Sequence, residues 1–253
     1  MKKMVQNPKE KNPKPGLSLK ERVGLILELA TFIAYYLARI LSFERVKYEL
    51  GHKTELKKKL REVFSIVDEF AEVRTDWQKF YKEKFNWTVD FSLVPIPSMP
   101  TDGKKWRLLF ISRGMTMNLA FQIAKKLFTS WKYFDDLDQS IPRNARKTDN
   151  HYVVWVRDSA EPDEEFLGQS TKQADPDMKI GITHLERIIF EVKYFSETGG
   201  HLDVKGLTFC SGSRAAGGDV PNTYLLSGGM FGAGYNYLVS SDPKYGIRRA
   251  VSL

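Results

Sequence analysis

Residues 181–200 have the sequence GITHLERIIFEVKYFSETGG. Apolar side chains recur there at three- and four-residue spacing and two glycines close the segment, so the pattern predicts an amphipathic helix over residues 181–200. Strand character follows over residues 202–210, and a glycine-rich tail follows the strand. This succession predicts an α+β fold. The helical stripe consists of Ile182, Leu185, Ile188, Ile189, Val192 and Phe195.

The tail has its own composition. Eleven of the eighteen glycines lie in residues 199–253, which contain no Glu, Gln or Trp. Residues 215–247 hold only three charged side chains, although the whole chain is 28% charged. Tyr, Ser, Asn and Gly are the residues that antibody-like binding surfaces favour, and they are interleaved here with apolar side chains. The tail is therefore predicted to be either a loop-bearing binding surface or a β-hairpin stack that completes the core.

The first third of the chain is predicted to be helical. Residues 17–50 and 54–85 have helical periodicity and are joined near Gly51, which indicates a helical hairpin. Three prolines within residues 95–100 and the pair Asp102-Gly103 end this region. The predicted domains are a disordered basic leader (1–16), the hairpin (17–90) and a second domain (91–253). The hairpin is a candidate for homo-oligomerisation or docking.

The positive charge lies partly in the leader. Five lysines against Glu10 give residues 1–16 a net charge of +4, half of the formal +8 of the chain. Together with the lysine-rich residues 57–61 and the pI of about 9.3, this leaves a second class of function open, a basic nucleic-acid-associated accessory protein. The leader itself is predicted to be a solubilising tail, with a phosphate- or membrane-attracted arm as the alternative.

Between the hairpin and residue 181, segments with a strand pattern alternate with segments that are helical or loop-like. Strands are predicted over residues 106–112 and 151–157, a helix over 115–131 and a polar, acidic loop over 158–178. Asp135, Asp136 and Asp138 have a spacing that metal ligands can use, but no His or Glu completes a known pattern. A solvated turn is the favoured interpretation.

The single cysteine and the N-terminal sequence predict a cytoplasmic protein. One cysteine excludes an internal disulfide, and no apolar signal-peptide core follows the basic start. Residues 23–41 are the one long apolar stretch, but Glu28 and Arg39 interrupt it. A buried helix is therefore predicted there, and no membrane span.

No catalytic, metal or cofactor site is predicted. The four histidines have unrelated contexts, and three residues separate Cys210 from Arg214 where a phosphatase loop has five. Ser213 lacks the flanking glycines of a nucleophile elbow, and the GAG at residues 232–234 is not followed by a helix. Cys210 is expected to be buried and inert.

A set of short motifs resembles one known family. They are GIT at 181–183, LER at 185–187, KYF at 193–195, ETG at 197–199, HLD at 201–203, CSGSR at 210–214, VP at 220–221 and RRAVS at 248–252, with WRLLFI at 106–111, YFDDLD at 133–138 and VWVRD at 154–158 upstream. In these motifs the chain resembles the variable proteins of diversity-generating retroelements, over about residues 92–253.

The resemblance implies a C-type-lectin-like fold without calcium chemistry. A reverse transcriptase in such systems miscopies the adenines of a template repeat, so that variable codons scatter residue types over a displayed surface at about residues 210–253. The implied activity is non-enzymatic binding of an unknown protein or other macromolecular ligand. The implied variable positions are Ala215, Ala216, Asp219, Asn222, Tyr224, Tyr235, Asn236, Ser240, Ser241 and Tyr245. The implied scaffold positions are Ser211, Gly212, Ser213, Arg214, Val220, Pro221 and Arg248, with both arginines anchoring loop backbone or carboxylates.

Overall fold

The structure is a computed structural model that describes residues 68–253 together with positions 28, 30, 31, 42, 44, 47, 48, 51 and 52. The chain divides into two compact units, residues 1–67 and residues 68–253. The predicted leader, the first predicted helix and most of the second lie outside the described residues. Within the described part, no helix is both long and apolar enough to cross a bilayer.

Helix α1 (Ala71–Phe85) begins after a turn at residues 68–70, where the sequence pattern predicts uninterrupted helix. Its side chains Trp77, Phe80 and Tyr81 are buried in the main core of the 68–253 unit. The Tyr81 hydroxyl donates to the carbonyl of Phe110 at 2.8 Å. The unit therefore begins at Asp68, and the boundary predicted at residues 90–91 lies inside it, because α1 packs with the sheets.

A three-stranded antiparallel sheet forms the first layer of the fold. It consists of β1 (Trp106–Ile111), β4 (Tyr152–Arg157) and β10 (Ala250–Val251), in the order β1-β4-β10. The apolar runs of β1 and β4 pair along their whole length, with Leu109 opposite Val154. The end of the chain thus pairs with a strand a hundred residues earlier.

The segment between β1 and β4 holds short elements: α2 (Met117–Leu127), β2 (Ser130–Lys132), α3 (Leu137–Ser140) and β3 (Arg143–Asn144). The helix predicted over 115–131 is shorter, because residues 130–132 pair in parallel with a later strand.

The aspartates after β2 cap helices. Asp136 accepts from the backbone of Gln139 at the start of α3, and Asp138 accepts from the backbone amides of Met117 and Asn118 at the start of α2. No group of residues that could hold a metal ion occurs in the described part of the chain.

The predicted acidic loop contains a 3-10 turn (Glu164–Phe166) and the short helix α4 (Thr171–Ala174). Helix α5 (His184–Thr198) follows and confirms the prediction for residues 181–200. Thr183 and Glu186 form a capping box at its start, and Gly199 ends it in the left-handed region at φ 70°.

The tail forms β5 (Leu207–Phe209), β6 (Ser213–Arg214), β7 (Val220–Leu226), β8 (Met230–Asn236) and β9 (Tyr245–Ile247). A five-stranded sheet has the order β2-β8-β7-β5-β9, and β6 pairs with β3. Phe231 and Ala233 of β8 face the main core, whereas Leu207, Phe209, Val220 and Ile247 form a smaller cluster. The α+β class predicted from the sequence agrees with these elements.

A fully buried charge cluster joins α5 to the five-stranded sheet. The Asp203 carboxylate accepts from Arg187 at 2.7 Å and from Arg248 at 2.6 Å, and Arg187 also pairs with Glu191 at 2.8 Å. Burial alone raises the pKa of Asp203, but the two guanidinium groups hold that pKa below its usual value. The cluster fixes the tail against the helix.

Candidate functional site

A groove of about 590 Å³ crosses one face of the five-stranded sheet. We call it the tyrosine groove. Its lining comes from β2 and the residue after it, from β5, β7, β8 and β9, and from the loop at residues 204–206. The lining residues are Trp131, Tyr133, Val204, Lys205, Gly206, Leu207, Asn222, Tyr224, Leu225, Gly234, Tyr235, Asn236 and Tyr245.

One row of side chains runs across all five strands of the groove face. In strand order it consists of Trp131, Gly232, Tyr224, Leu207 and Tyr245, each directly paired in register with the next. Side chains in register on neighbouring strands lie on the same face of a sheet. Residues more than a hundred positions apart in sequence therefore form one aromatic surface.

Two glycines on β8 leave room for the side chains of Tyr224 and Asn222 on the neighbouring strand. A Cβ at Gly232 would lie 2.9 Å from the ring of Tyr224, and a Cβ at Gly234 would lie 3.2 Å from Oδ1 of Asn222. The Tyr224 ring thus occupies the space that a side chain at residue 232 would need. The GAG triplet serves this packing, with Ala233 turned to the core.

The side of the groove at β2 and β8 is aromatic. Trp131 and Tyr133 are 41% and 54% exposed, and their rings meet edge-to-face with centroids 6.3 Å apart. Tyr133 meets Tyr235 at 4.8 Å and 71°, and Tyr235 stacks on Phe134. A hydrogen bond between the Tyr133 and Tyr235 side chains raises the pKa of Tyr235. The rings hold one another in place, which lowers the entropy lost on binding.

The floor of the groove contains a buried amide. Asn222 is 1% exposed, and its Nδ2 donates to Oδ1 of Asn236 at 2.5 Å. The Oδ1 atom of Asn222 is buried and has no hydrogen-bond partner among the described residues. A buried polar atom without a partner is unfavourable, and because Asn222 is almost fully buried, a ligand group that hydrogen-bonds there must enter the floor of the groove.

The predicted display residues divide by location. Five of the ten line the tyrosine groove: Asn222, Tyr224, Tyr235, Asn236 and Tyr245. Ala216 and Ser241 are exposed, and Asp219 and Ser240 are half-buried, away from the groove lining. Ala215 differs from the expectation of display: it is 4% exposed, because its backbone pairs with Asp219 at the start of a tight turn.

All seven predicted scaffold residues are buried: Ser211, Gly212, Ser213, Arg214, Val220, Pro221 and Arg248. The anchoring role predicted for the two arginines is confirmed. Arg214 donates to the carbonyls of Ser211 and Asp175, and Arg248 donates to the carbonyls of Ser159 and Ala160 and to Asp203.

Close backbone packing fixes the segment at the start of the predicted variable region. The Asp175 carboxylate accepts from the Gly181 amide at 2.9 Å and from the Ser211 hydroxyl at 2.7 Å. A Cβ at Gly212 would lie 2.5 Å from the carbonyl oxygen of Gly181. Residues 175, 181 and 211–212 therefore form one tightly packed junction.

Cys210 is buried, as predicted, and burial raises the pKa of its thiol far above the usual range. A thiol in this state is a poor nucleophile. The lysine-rich residues 2–14 and 57–61, on which the nucleic-acid alternative depends, lie outside the described residues.

The loop before α4 covers the edge of β9, on which Tyr245 lies. Asp163 donates its amide to the carbonyl of Ile247, and its carboxylate accepts from the amide of Arg249 at 2.8 Å. Burial raises the pKa of Asp163 to about 6, although the Arg249 amide and the Arg248 charge oppose the shift. The charged form of the Asp163 carboxylate therefore lowers the stability of the folded protein relative to the neutral form.

This shift predicts a pH dependence. Because the folded-state pKa is above the unfolded value of 3.8, the folded state binds the proton more tightly, and stability rises as pH falls below about 6. Asp163→Asn removes this response. Wild type should gain about 2 kcal/mol relative to the variant between pH 7 and pH 4.5. Urea unfolding at both pH values measures the free energy of unfolding of wild type and of the variant, with exposed Asp177→Asn as the control. If this free energy changed with pH equally in wild type and in Asp163→Asn, the prediction would be wrong.

Sequence patterns did not identify every residue of the groove. The sequence pattern predicts that Trp131 ends a helix, and no pattern marks Leu207 or Lys205 as part of a binding site. Tyr133 belongs to a motif of the resemblance but was not predicted as a ligand contact. These residues reach the groove through parallel β2–β8 pairing and through the β5–β7 register, which no local pattern reveals.

Comparisons with known proteins add no assignment: no protein family, curated protein or solved structure matches this chain.

Proposed function

We propose that this chain is a non-enzymatic ligand-binding protein that displays a retroelement-diversified recognition surface on a C-type-lectin-like scaffold. One observation carries the proposal. Five residues that the family resemblance implies as variable line a single groove, whereas the seven implied as scaffold are buried. None of the seven scaffold residues lines the groove, and a tail that only completed the core would give no reason for this difference between the two sets.

The chemistry of the groove supports a binding role. Tyrosine offers a large, amphipathic contact surface at low conformational cost, and asparagine adapts its hydrogen bonds to the ligand. Three of the groove residues are tyrosines from the tail, and the two asparagines pair with each other between them. The same residue types make up many paratopes.

The scaffold supports variation. Arg214 and Arg248 hold loop carbonyls, and these hydrogen bonds do not involve the groove side chains. Replacing Tyr235 or Tyr245 leaves these anchors intact. A partner that is a protein or another macromolecule would meet the groove from the open face of the sheet, and the N-terminal residues would serve oligomerisation or docking.

The DNA next to the gene tests this proposal. We expect a near-copy of the segment encoding residues 215–253 beside a reverse-transcriptase gene, with mismatches confined to adenines of the copy. A locus without such a copy would remove the main support for diversification. The next test would then be whether the chain binds nucleic acid with a steep dependence on salt.

A further inference from the structure

The tyrosine groove also indicates what kind of ligand this variant takes. We propose that it binds a neutral saccharide, with a sugar ring packed in the corner between Trp131 and Tyr133 and a hydroxyl group hydrogen-bonded to Asn222. The inference rests on the proposed binding role of the groove and goes beyond it by naming the ligand class. Four features of the groove carry it.

The first feature is shape. The groove has a volume of about 590 Å³, within the range of clefts that bind small ligands. Gly234 and the Tyr224 ring over Gly232 belong to the sheet, and the loop at residues 204–206 completes the lining. A ligand of a few linked rings matches this volume.

The second feature is charge. Lys205 is the one charged residue among those that line the groove in the described part of the chain. Anionic ligands such as nucleic acids require several cations for their phosphates. A cationic ligand would be repelled by Lys205 and would find no carboxylate in the lining to pair with. The groove therefore favours an uncharged ligand.

The third feature is the buried amide of Asn222. The Oδ1 atom of Asn222 lacks a donor. If the amide groups of Asn222 and Asn236 are both rotated by 180°, their hydrogen bond is kept and an NH₂ group of Asn222 that lacks an acceptor takes the place of this oxygen. A hydroxyl group donates and accepts, so it satisfies Asn222 in either orientation. Saccharides carry several hydroxyl groups on each ring.

The fourth feature is the arrangement of the exposed rings. Trp131 and Tyr133 meet at 80° and Tyr133 and Tyr235 at 71°, so they form a corner and not a pair of parallel faces. A planar base needs parallel faces to be sandwiched. A puckered sugar ring has apolar C–H groups on its faces and edges, and it can contact two perpendicular aromatic rings at once.

The test begins with the full-length protein on an array of neutral and acidic glycans. The neutral oligosaccharide that is best retained is then titrated calorimetrically. We expect Trp131→Ala and Asn222→Ala each to weaken binding roughly tenfold or more. The matched control is Tyr237→Ala, because Tyr237 is 68% exposed and does not line the groove; its affinity should stay within about twofold.

Three outcomes would overturn the inference. They are an array on which no neutral glycan is retained, retention of acidic glycans only, and equal affinities for Trp131→Ala and Tyr237→Ala. Asn222→Ala removes a buried side chain, so thermal unfolding is measured for every variant, and Trp131→Ala alone decides if Asn222→Ala does not fold. A protein or peptide ligand that depends on Trp131, without any glycan, would overturn the saccharide class and leave the proposed binding function standing.

Discussion

Replacing Asp203 by alanine should remove a large part of the free energy of unfolding. The carboxylate is fully buried and accepts hydrogen bonds from Arg187 and Arg248, which are also fully buried. Without it Arg248 loses its buried acid partner and Arg187 keeps only Glu191. Removing one partner of a buried ion pair costs about 3–5 kcal/mol, against a total stability of roughly 5–15 kcal/mol.

The backbone at Asp203 adds to this effect. Its φ of 55° lies in the left-handed region, where alanine is less favourable than aspartate or asparagine. Asp203→Asn keeps the shape and the backbone preference but removes the charge and replaces one acceptor oxygen by an NH₂ group, so it should lose less stability than Asp203→Ala. The difference between the two variants measures what the side-chain shape and the backbone preference contribute.

Urea unfolding followed by tryptophan fluorescence measures both changes. All five tryptophans lie in the 68–253 unit, so the signal reports on this unit. Asp177→Ala is the control, because its carboxylate is 66% exposed and pairs only with the exposed Lys179; its effect should be below about 0.5 kcal/mol. A loss for Asp203→Ala as small as that of the control would show that the buried cluster does not hold the fold together.

Replacing Gly212 by alanine should have the second-largest effect. The added methyl group would lie 2.5 Å from the carbonyl oxygen of Gly181 and 3.1 Å from the backbone of Ile182, neither of which can rotate away. The Gly212 amide donates to the Ile182 carbonyl at 3.0 Å, so the two segments must separate and lose this bond. Overpacking with backbone displacement costs about 1–3 kcal/mol.

Gly217→Ala provides a matched control five residues away. Gly217 is exposed, has no positive φ, and a Cβ there would meet only Asp219 at 3.8 Å. This variant should be neutral or slightly stabilising, because alanine restricts the unfolded chain. Thermal unfolding of the two variants gives the comparison. Equal melting temperatures would mean that residues 181 and 212 are not packed as closely as described.

Local patterns predicted α5 well, because the determinants of that helix are local. The capping box of Thr183 and Glu186 and the terminal Gly199 are visible in the sequence and set its ends. The burial of Arg187 and Glu191 was not predictable in this way. Charged residues opposite an apolar stripe usually face solvent. Arg187 and Glu191 are buried because they pair with each other and with Asp203 and His201, which the tail brings in.

Long-range pairing explains the remaining differences. Trp131 follows a helical pattern without a break, and only its parallel pairing with Gly232 makes it part of a strand. Helix α1 was assigned to a separate hairpin because prolines follow it, whereas its aromatic side chains pack in the main core. The groove combines residues 131–133, 204–207 and 222–245. The composition of the tail indicated a binding surface only within residues 222–245. The pairing of the strands brings residues 131–133 and 204–207 to the same groove.

The central claim is that the groove side chains are the ones that a retroelement varies. Sequencing the DNA that flanks the gene tests it most directly. We predict a near-copy of the segment encoding residues 215–253 whose mismatches fall at adenines and include the codons of Tyr224, Tyr235 and Tyr245, and whose codons for Asn222 and Asn236 contain adenines open to miscopying. The codons of the scaffold residues Val220, Pro221 and Arg248 should match. A locus without the copy, or a copy whose mismatches fall mainly in the scaffold codons, would contradict the account.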